Sequence, residues 1–191
     1  MYILFEGIDT CGKSTQIALL KESHPEIITT FEPGATTFGK KAREILLSDS
    51  LRSKRAELLL FLADRAEHYE EVIAPNQDKV IISDRGFISG LGYALANDDF
   101  DFEELVILNR FALKDHFPDR VILFLTDMKT LQERTSQKEL DGIELRGLEY
   151  LLRVQEHMKE SILRLNIPHL FVDATQSIET IHDQISTYLE I

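Results

Sequence analysis

Cys11 is the one cysteine in 191 residues, so the chain forms no intramolecular disulfide, a usage that suits a reducing compartment. No apolar run approaches the roughly eighteen residues of a membrane span. The opening residues 1–5 carry neither a basic flank nor a cleavage-site pattern. A cytoplasmic protein with no membrane partner is therefore expected. Positive charge is also scarce: 21 Lys and Arg face 33 Asp and Glu, a net charge of −12. A surface that negative repels the phosphates of long nucleic acids, which argues against a nucleic-acid polymer as partner. A small phosphate ligand is not excluded, because a few local cations and a helix N-terminus capture it against the overall field. Internal repeats, low-complexity tracts and Pro/Gly-rich linkers are missing too, so nothing divides the chain, and its length predicts a single domain over 1–191. With 43% hydrophobic and 28% charged residues, a disordered chain does not fit.

What is present is alternation. Strand-like apolar runs at 2–6, 27–31, 80–83, 121–125 and 169–172 are separated by helix-length segments. These segments begin at Gly12 or Lys13 and at 37–48, 53–74, 102–114, 129–135, 145–165 and 178–189. Continuously apolar strands belong to parallel sheets covered on both faces. The alternation predicts an α/β fold: a three-layer, doubly wound parallel sheet of about five strands with helices on both faces. Such a sheet binds ligands at the carboxyl ends of its strands. The most polar interval, 134–146, has almost no apolar anchor and reads as a mobile surface segment.

Directly after the first strand, Gly7-Ile8-Asp9-Thr10-Cys11-Gly12-Lys13-Ser14 matches G-x-x-x-x-G-K-[ST]. The fixed positions each serve phosphate binding. The glycines let backbone N–H groups close around phosphate oxygens, Lys13 reaches the β/γ-phosphates, and the Ser14 hydroxyl suits Mg²⁺. A strand before the match and a helix after it are the context that phosphate binding needs. The motif therefore predicts a nucleoside triphosphate site of the P-loop type over residues 7–15, Thr15 included. A GTPase would add N-K-x-D, which is missing, and a D-x-x-G switch after a later strand; the one D-x-x-G here is Asp9 to Gly12, inside the loop itself.

Ser83-Asp84-Arg85-Gly86 follows the apolar strand at 80–83. An acidic residue there can hold Mg²⁺ or its water, and an arginine can fork onto phosphate; read alone, the pair also suits an ordinary surface strand end. Phe61, Arg65 and Tyr69 are four apart on the long helical segment and share a face. A ring with a cation one turn away can stack on a base and bond its edge. Leu58, Leu62, Ala66 and Ile73 follow helical spacing as well, so Phe61 fits a core face equally.

Phe5-Glu6-Gly7-Ile8-Asp9 with Gly12-Lys13-Ser14-Thr15-Gln16, then Glu32-Pro33-Gly34-Ala35-Thr36, Leu60-Phe61-Leu62-Ala63-Asp64-Arg65, Asp84-Arg85 and Asp173-Ala174-Thr175 form one ordered set over essentially the whole chain. In order and spacing the set resembles the thymidylate kinase family. The resemblance implies transfer of the γ-phosphoryl of ATP to dTMP with Mg²⁺, giving dTDP and ADP. It places Asp9 near the transferring phosphoryl and the sugar end of dTMP, Phe61 on thymine and Arg65 at the thymine edge. Arg43 and Arg85 would hold the acceptor phosphate beside Glu32, Asp84 would assist magnesium with Ser14, and Tyr93 would fill the space of a ribose 2′-hydroxyl. Residues 134–146 would form a lid over ATP, and the chain would be a homodimer.

Several positions depart from the pattern: Phe31 precedes Glu32, Ala35 replaces a glycine, Gly86 follows the Asp-Arg pair, and Gly90 and Ala94 stand where many relatives carry polar base-reading side chains. The phosphate loop contains no arginine, so the cation at the transferring phosphoryl is expected from Arg134, Lys138 or Arg146, with Lys13 and Arg85 sharing the catalytic charge. Another nucleoside monophosphate or deoxynucleoside kinase, and a P-loop ATPase that couples hydrolysis to partner binding, remain the alternatives at this point.

Overall fold

The structure, a computed structural model, describes residues 1–48, 51–97, 100–135 and 147–191. Its strands are β1 (Tyr2–Glu6), β2 (Ile28–Phe31), β3 (Ile81–Asp84), β4 (Arg120–Leu125) and β5 (His169–Asp173). They form one all-parallel sheet in the order β2-β3-β1-β4-β5. Successive side chains of a strand face opposite ways, and the sequence uses that alternation to build two cores. Leu4, Ile81, Val121 and Leu123 face one layer, and Ile3, Phe5, Ile82, Ile122 and Phe124 the other. β1 lies in the middle and is buried at every position, which is why it is apolar from Tyr2 to Phe5, up to its last residue Glu6.

The helices are α1 (Lys13–Ser23), α2 (Thr37–Leu47), α3 (Lys54–His68), α4 (Phe87–Leu95), α5 (Phe102–Ala112), α6 (Met128–Thr135), α7 (Leu148–Leu165) and α8 (Ile178–Leu189). α1 and α8 cover one face of the sheet through Leu20, Ile181 and Ile185; α4, α5 and α7 cover the other through Leu91, Leu105 and Val154. This is the doubly wound three-layer architecture that the alternation predicts. From β1 the chain winds first to β2 and β3 on one side, later to β4 and β5 on the other, so the switch point lies at the carboxyl end of β1.

Two elements differ from expectation. The helix expected over 53–74 stops at His68 and continues as a π turn (Tyr69–Ile73) and a short 3-10 turn (Ala74–Asn76). Pro75 explains this, since it has no N–H to donate and its ring crowds the carbonyl four residues back. α4 was not among the expected helices, because Gly90 and Gly92 weaken the pattern. Packing overrides propensity there: a Cβ on Gly92 would lie 2.6 Å from Met158 Cγ and 2.9 Å from the Val154 carbonyl oxygen, so α4 meets α7 backbone to side chain. On the same turn of α7, buried Gln155 accepts from the Thr126 N–H at 2.9 Å and donates to the Thr126 carbonyl at 3.1 Å, fastening the helix to the end of β4.

Candidate active site

The loop after β1 is shaped by backbone that only certain residues tolerate. Gly7 has φ +142°, and a Cβ there would lie 2.8 Å from the Phe124 carbonyl oxygen. Gly12 has φ +97° and stands at the start of α1, which has no side-chain N-cap. The first N–H groups of α1 are thus left to an anionic ligand. Lys13 is buried, and its Nζ donates to the carbonyl oxygens of Gly7 and Ile8, both at 3.0 Å, with Cys11 Sγ at 3.6 Å. Ser14 and Thr15 follow, exposed on the first turn of α1. Ser14 Oγ donates to Asp84 Oδ2 at 2.9 Å, joining the start of α1 to the end of β3. A hydroxyl and a carboxylate at this spacing are the hard oxygen donors that suit Mg²⁺, which takes only one or two protein carboxylates beside substrate phosphates.

Arg85, directly after β3, adopts a left-handed φ of +69°, a conformation costly for a residue with a Cβ. Hydrogen bonds over-determine it: its N–H donates to the Phe5 carbonyl at 2.9 Å, and its own carbonyl accepts from Ser83 Oγ at 2.7 Å. That turn aims the guanidinium back at the loop. Nη2 meets Asp9 Oδ1 at 2.5 Å, and Nη1 donates to Ser89 Oγ at 3.0 Å. Ser89 Oγ in turn donates to Glu6 Oε2 at 2.5 Å, and its N–H to Oε1 at 3.2 Å. Burial raises the Glu6 carboxyl above its ordinary value, while the Ser89 bonds and the Arg85 charge oppose that rise. For Arg85, burial would lower the value, but its interactions with Tyr93, Asp9 and Glu6 outweigh that and push it up, so the guanidinium stays charged.

Two clefts open at this end of the sheet. One follows the loop from Asp9 to Thr15. The other is walled by Phe61, Arg65, Tyr93, Ala94 and neighbours. Asp9, Glu32, Arg43 and Arg85 line both, so the clefts meet over two carboxylates and two guanidinia. Arg43 Nη1 is held by the Pro33 carbonyl at 2.9 Å, and Arg85 lies over the Tyr93 ring with Cζ 5.9 Å from its centroid. Phe61 is half-buried and belongs to neither core cluster. Its helical spacing suited core and cleft alike, and the structure puts it on the cleft.

Arg65 is buried, with Nε donating to Glu32 Oε2 at 2.9 Å and Nη1 to Asn109 Oδ1 at 2.7 Å. Glu32 has its other oxygen on His68 Nδ1 at 2.8 Å, so both of its oxygens serve the protein. Burial would raise the Glu32 carboxyl, but Arg65 and His68 overcome it and hold it below the ordinary range. Glu6, Ser89, His68 and Asn109 were not singled out from the sequence. Their available signal was polarity inside an apolar pattern, as for Glu6 at the end of an otherwise apolar strand.

Arg134, at the end of α6, donates to the carbonyl oxygens of Thr10 at 3.1 Å and Ala174 at 2.7 Å. It braces the outside of the loop and is not among the residues lining either cleft. Lys138, Arg146 and the rest of the expected lid after Thr135 lie outside the described residues.

Next to Arg65, Asp64 Oδ1 accepts from the Gly34 N–H at 3.2 Å, while buried Oδ2 has no partner among the described residues. Burial and the Glu32 charge push its carboxyl up to about 6 from an ordinary 3.8. The folded chain therefore holds this proton more tightly than the unfolded chain. Stability from it is complete below about pH 4, declines as pH rises through about 6, and is level above. Asp64→Asn keeps the acceptor for Gly34 and removes the charge. Its melting temperature is expected to equal the parent's near pH 4 and to exceed it above pH 6, by the equivalent of about 1–3 kcal/mol. A difference that does not vary with pH would count against a buried Asp64 charge.

Residues 5–185 match the family model for thymidylate kinase. The chain is 80% identical to a thymidylate kinase of Sulfurovum sp. (strain NBC37-1) over 191 residues, covering 100% of each. It is 53% identical to a thymidylate kinase of Campylobacter jejuni subsp. doylei over 195 residues, again covering 100% of each. A crystal structure of thymidylate kinase from Ehrlichia chaffeensis superposes with a TM-score of 0.78 at 26% identity, covering 100% of this chain and 98% of that one.

Proposed function

Because the chain belongs to the thymidylate kinase family, we infer that its two adjoining clefts hold the two substrates of one phosphoryl transfer. The enzyme moves the γ-phosphoryl of ATP to dTMP, giving dTDP and ADP, a step toward dTTP. The observation that carries the assignment of clefts is their shared wall of Asp9, Glu32, Arg43 and Arg85. A triphosphate cradled by residues 7–15 and a monophosphate in the neighbouring cleft would put donor and acceptor phosphates over that wall.

In this reading Lys13 and the N–H groups opening α1 bind the β/γ-phosphates, Thr15 included. Ser14 and Asp84 hold Mg²⁺, which when bound neutralises phosphate charge. Phosphoryl transfer passes through a loose transition state, so the protein contributes positioning and charge rather than covalent chemistry. Arg43 and Arg85 hold the acceptor phosphate, and Asp9 orients Arg85 beside it. We assign the cation at the transferring phosphoryl to Arg85, which stands on the shared wall; Arg134 shapes the loop from outside. Glu32 acts through Arg65, and Tyr93 backs Arg85 where the sugar would lie. We propose one domain over 1–191. We further propose a homodimer built on the exposed apolar side chains Leu59 of α3 and Ile107 and Phe111 of α5; mass in solution tests it. We place the enzyme in the cytoplasm, in keeping with a free, buried Cys11; among the described residues no helix is long and apolar enough to cross a membrane.

ADP release, followed with ATP and each nucleoside monophosphate in turn, tests the assignment. Fast release with dTMP and slow release with ATP alone are expected. Equal release without an acceptor would favour an ATPase, and a different preferred acceptor another monophosphate kinase. Phe61→Ala should raise the KM for dTMP by about 5- to 150-fold, since base stacking on an aromatic is worth roughly 1–3 kcal/mol. ATP affinity should be unchanged. Because Phe61 lies outside both cores, its melting temperature should fall by only a few degrees; a large fall with an unchanged dTMP constant would sink the stacking role.

A further inference from the structure

α5 buries Phe102, Leu105, Val106 and Ala112 along one face, and in the middle of that apolar face stands Asn109, 1% exposed. Asparagine is a poor helix former, and its amide is costly to bury unless both ends are bonded. Here both are. Nδ2 donates to the Leu105 carbonyl at 2.8 Å, which can only accept, so the amide orientation is fixed with Oδ1 toward Arg65. Oδ1 then accepts from Arg65 Nη1 at 2.7 Å.

The guanidinium is gripped on two edges by two different elements: Glu32, after β2, holds Nε, and Asn109, on α5, holds Nη1. α4 closes over it, since a Cβ on Gly90 would lie 3.4 Å from both Nη1 and Nη2. A guanidinium is planar, so fixing two of its nitrogens fixes the direction of the third. Nη2 has no partner among the described residues, and Arg65 lines the cleft that holds Phe61. We propose that Asn109 is a positioning residue for base choice: it fixes the plane of Arg65 so that a donor, and only a donor, meets the edge of the acceptor base. This rests on the reading of that cleft as the acceptor's.

The chemistry of the selection follows from the donor inventory. Arginine donates and never accepts. A pyrimidine with a carbonyl oxygen at its edge, such as thymine, pairs with it; cytosine presents an amino group there and leaves two donors facing each other. A site built around a fixed polar partner rejects the mismatched analogue far more sharply than one whose partner can turn away. Glu32 alone would leave the guanidinium free to swing about the Nε edge.

The test measures kcat and KM for dTMP and dCMP in the full-length enzyme with Asn109→Ala and Asn109→Ser, each checked for an unchanged melting transition. The expected result is a dTMP KM raised about tenfold or more, kcat within about threefold, and a dTMP-to-dCMP ratio of kcat/KM reduced at least about tenfold. Asn109→Asp keeps an acceptor on Arg65 but sets its second oxygen against the Leu105 carbonyl, so it should retain more of that ratio than Asn109→Ala and Asn109→Ser do. An unchanged ratio in Asn109→Ala and Asn109→Ser, or a loss in Asn109→Asp equal to theirs, overturns the proposal. Failure of both smaller variants to fold also overturns it, because it assigns Asn109 to stability alone. Arg65→Ala, run alongside, separates the two levels of inference. If it collapses the ratio while the Asn109 variants do not, the positioning role fails by itself; if Arg65→Ala leaves dTMP kinetics untouched, the cleft assignment has failed.

Discussion

Lys13→Ala is expected to lower the turnover number by about a thousandfold with the fold retained. Lys13 opens α1 and is buried in the loop, its Nζ bridging the carbonyl oxygens of Gly7 and Ile8. An ammonium in that place brings a full positive charge to the head of a helix that already presents unbonded N–H groups. Water cannot replace it, because a solvent dipole must reorganise as charge develops whereas the fixed cation is in place beforehand. Two buried loop carbonyls lose a donor in the variant, at a cost of about 1–3 kcal/mol, so the melting temperature should fall by several degrees while the fold is kept. Steady-state turnover at saturating ATP and dTMP, with a thermal scan of the same preparation, checks both parts. Turnover within about threefold of the parent would remove this loop as the donor's site.

Arg85→Ala should be comparably severe, with kcat reduced on the order of 10³ and the KM for dTMP raised as well. The double effect distinguishes Arg85 from Lys13, since it stands on the wall shared by the two clefts. Its loss also removes from Asp9 the guanidinium that meets it at 2.5 Å, so less of that carboxylate's charge is offset on the wall shared by the clefts. Arg85→Lys should recover little, because a lysine reaches one of Asp9 and Ser89 but lacks the fork that engages both. A variant whose kcat falls less than about tenfold would shift the catalytic cation to Arg43 or to a residue beyond α6.

The loop and the Asp84-Arg85 pair were legible because their chemistry is written in contiguous letters after apolar strands. The doubly wound sheet was legible for a related reason: burial on both faces leaves no polar positions in the middle of β1 or β4. Phe61 was legible through the family resemblance and not through its spacing, because spacing of four assigns a face without saying what covers it; the structure puts it outside both core clusters. α4 was hidden by Gly90 and Gly92, whose weakness as helix formers is visible locally while the close approach to Met158 and Val154 is not. The supports of the two arginines were hidden by distance along the chain. Glu6 is 83 residues from Ser89, and Asn109 is 44 residues from Arg65.

α7 lines neither cleft, yet it is fastened at two places that matter. At one it nests against the missing side chain of Gly92, on the helix that carries Tyr93 and Gly90; at the other, Gln155 grips the backbone of Thr126, two residues beyond the Phe124 carbonyl that crowds Gly7. In mechanical terms α7 is a tie bar between the walls of the two clefts. A lesion that shifts it loosens both clefts together, so damage to this helix is expected to mimic loss of the whole candidate site while every residue lining that site is intact.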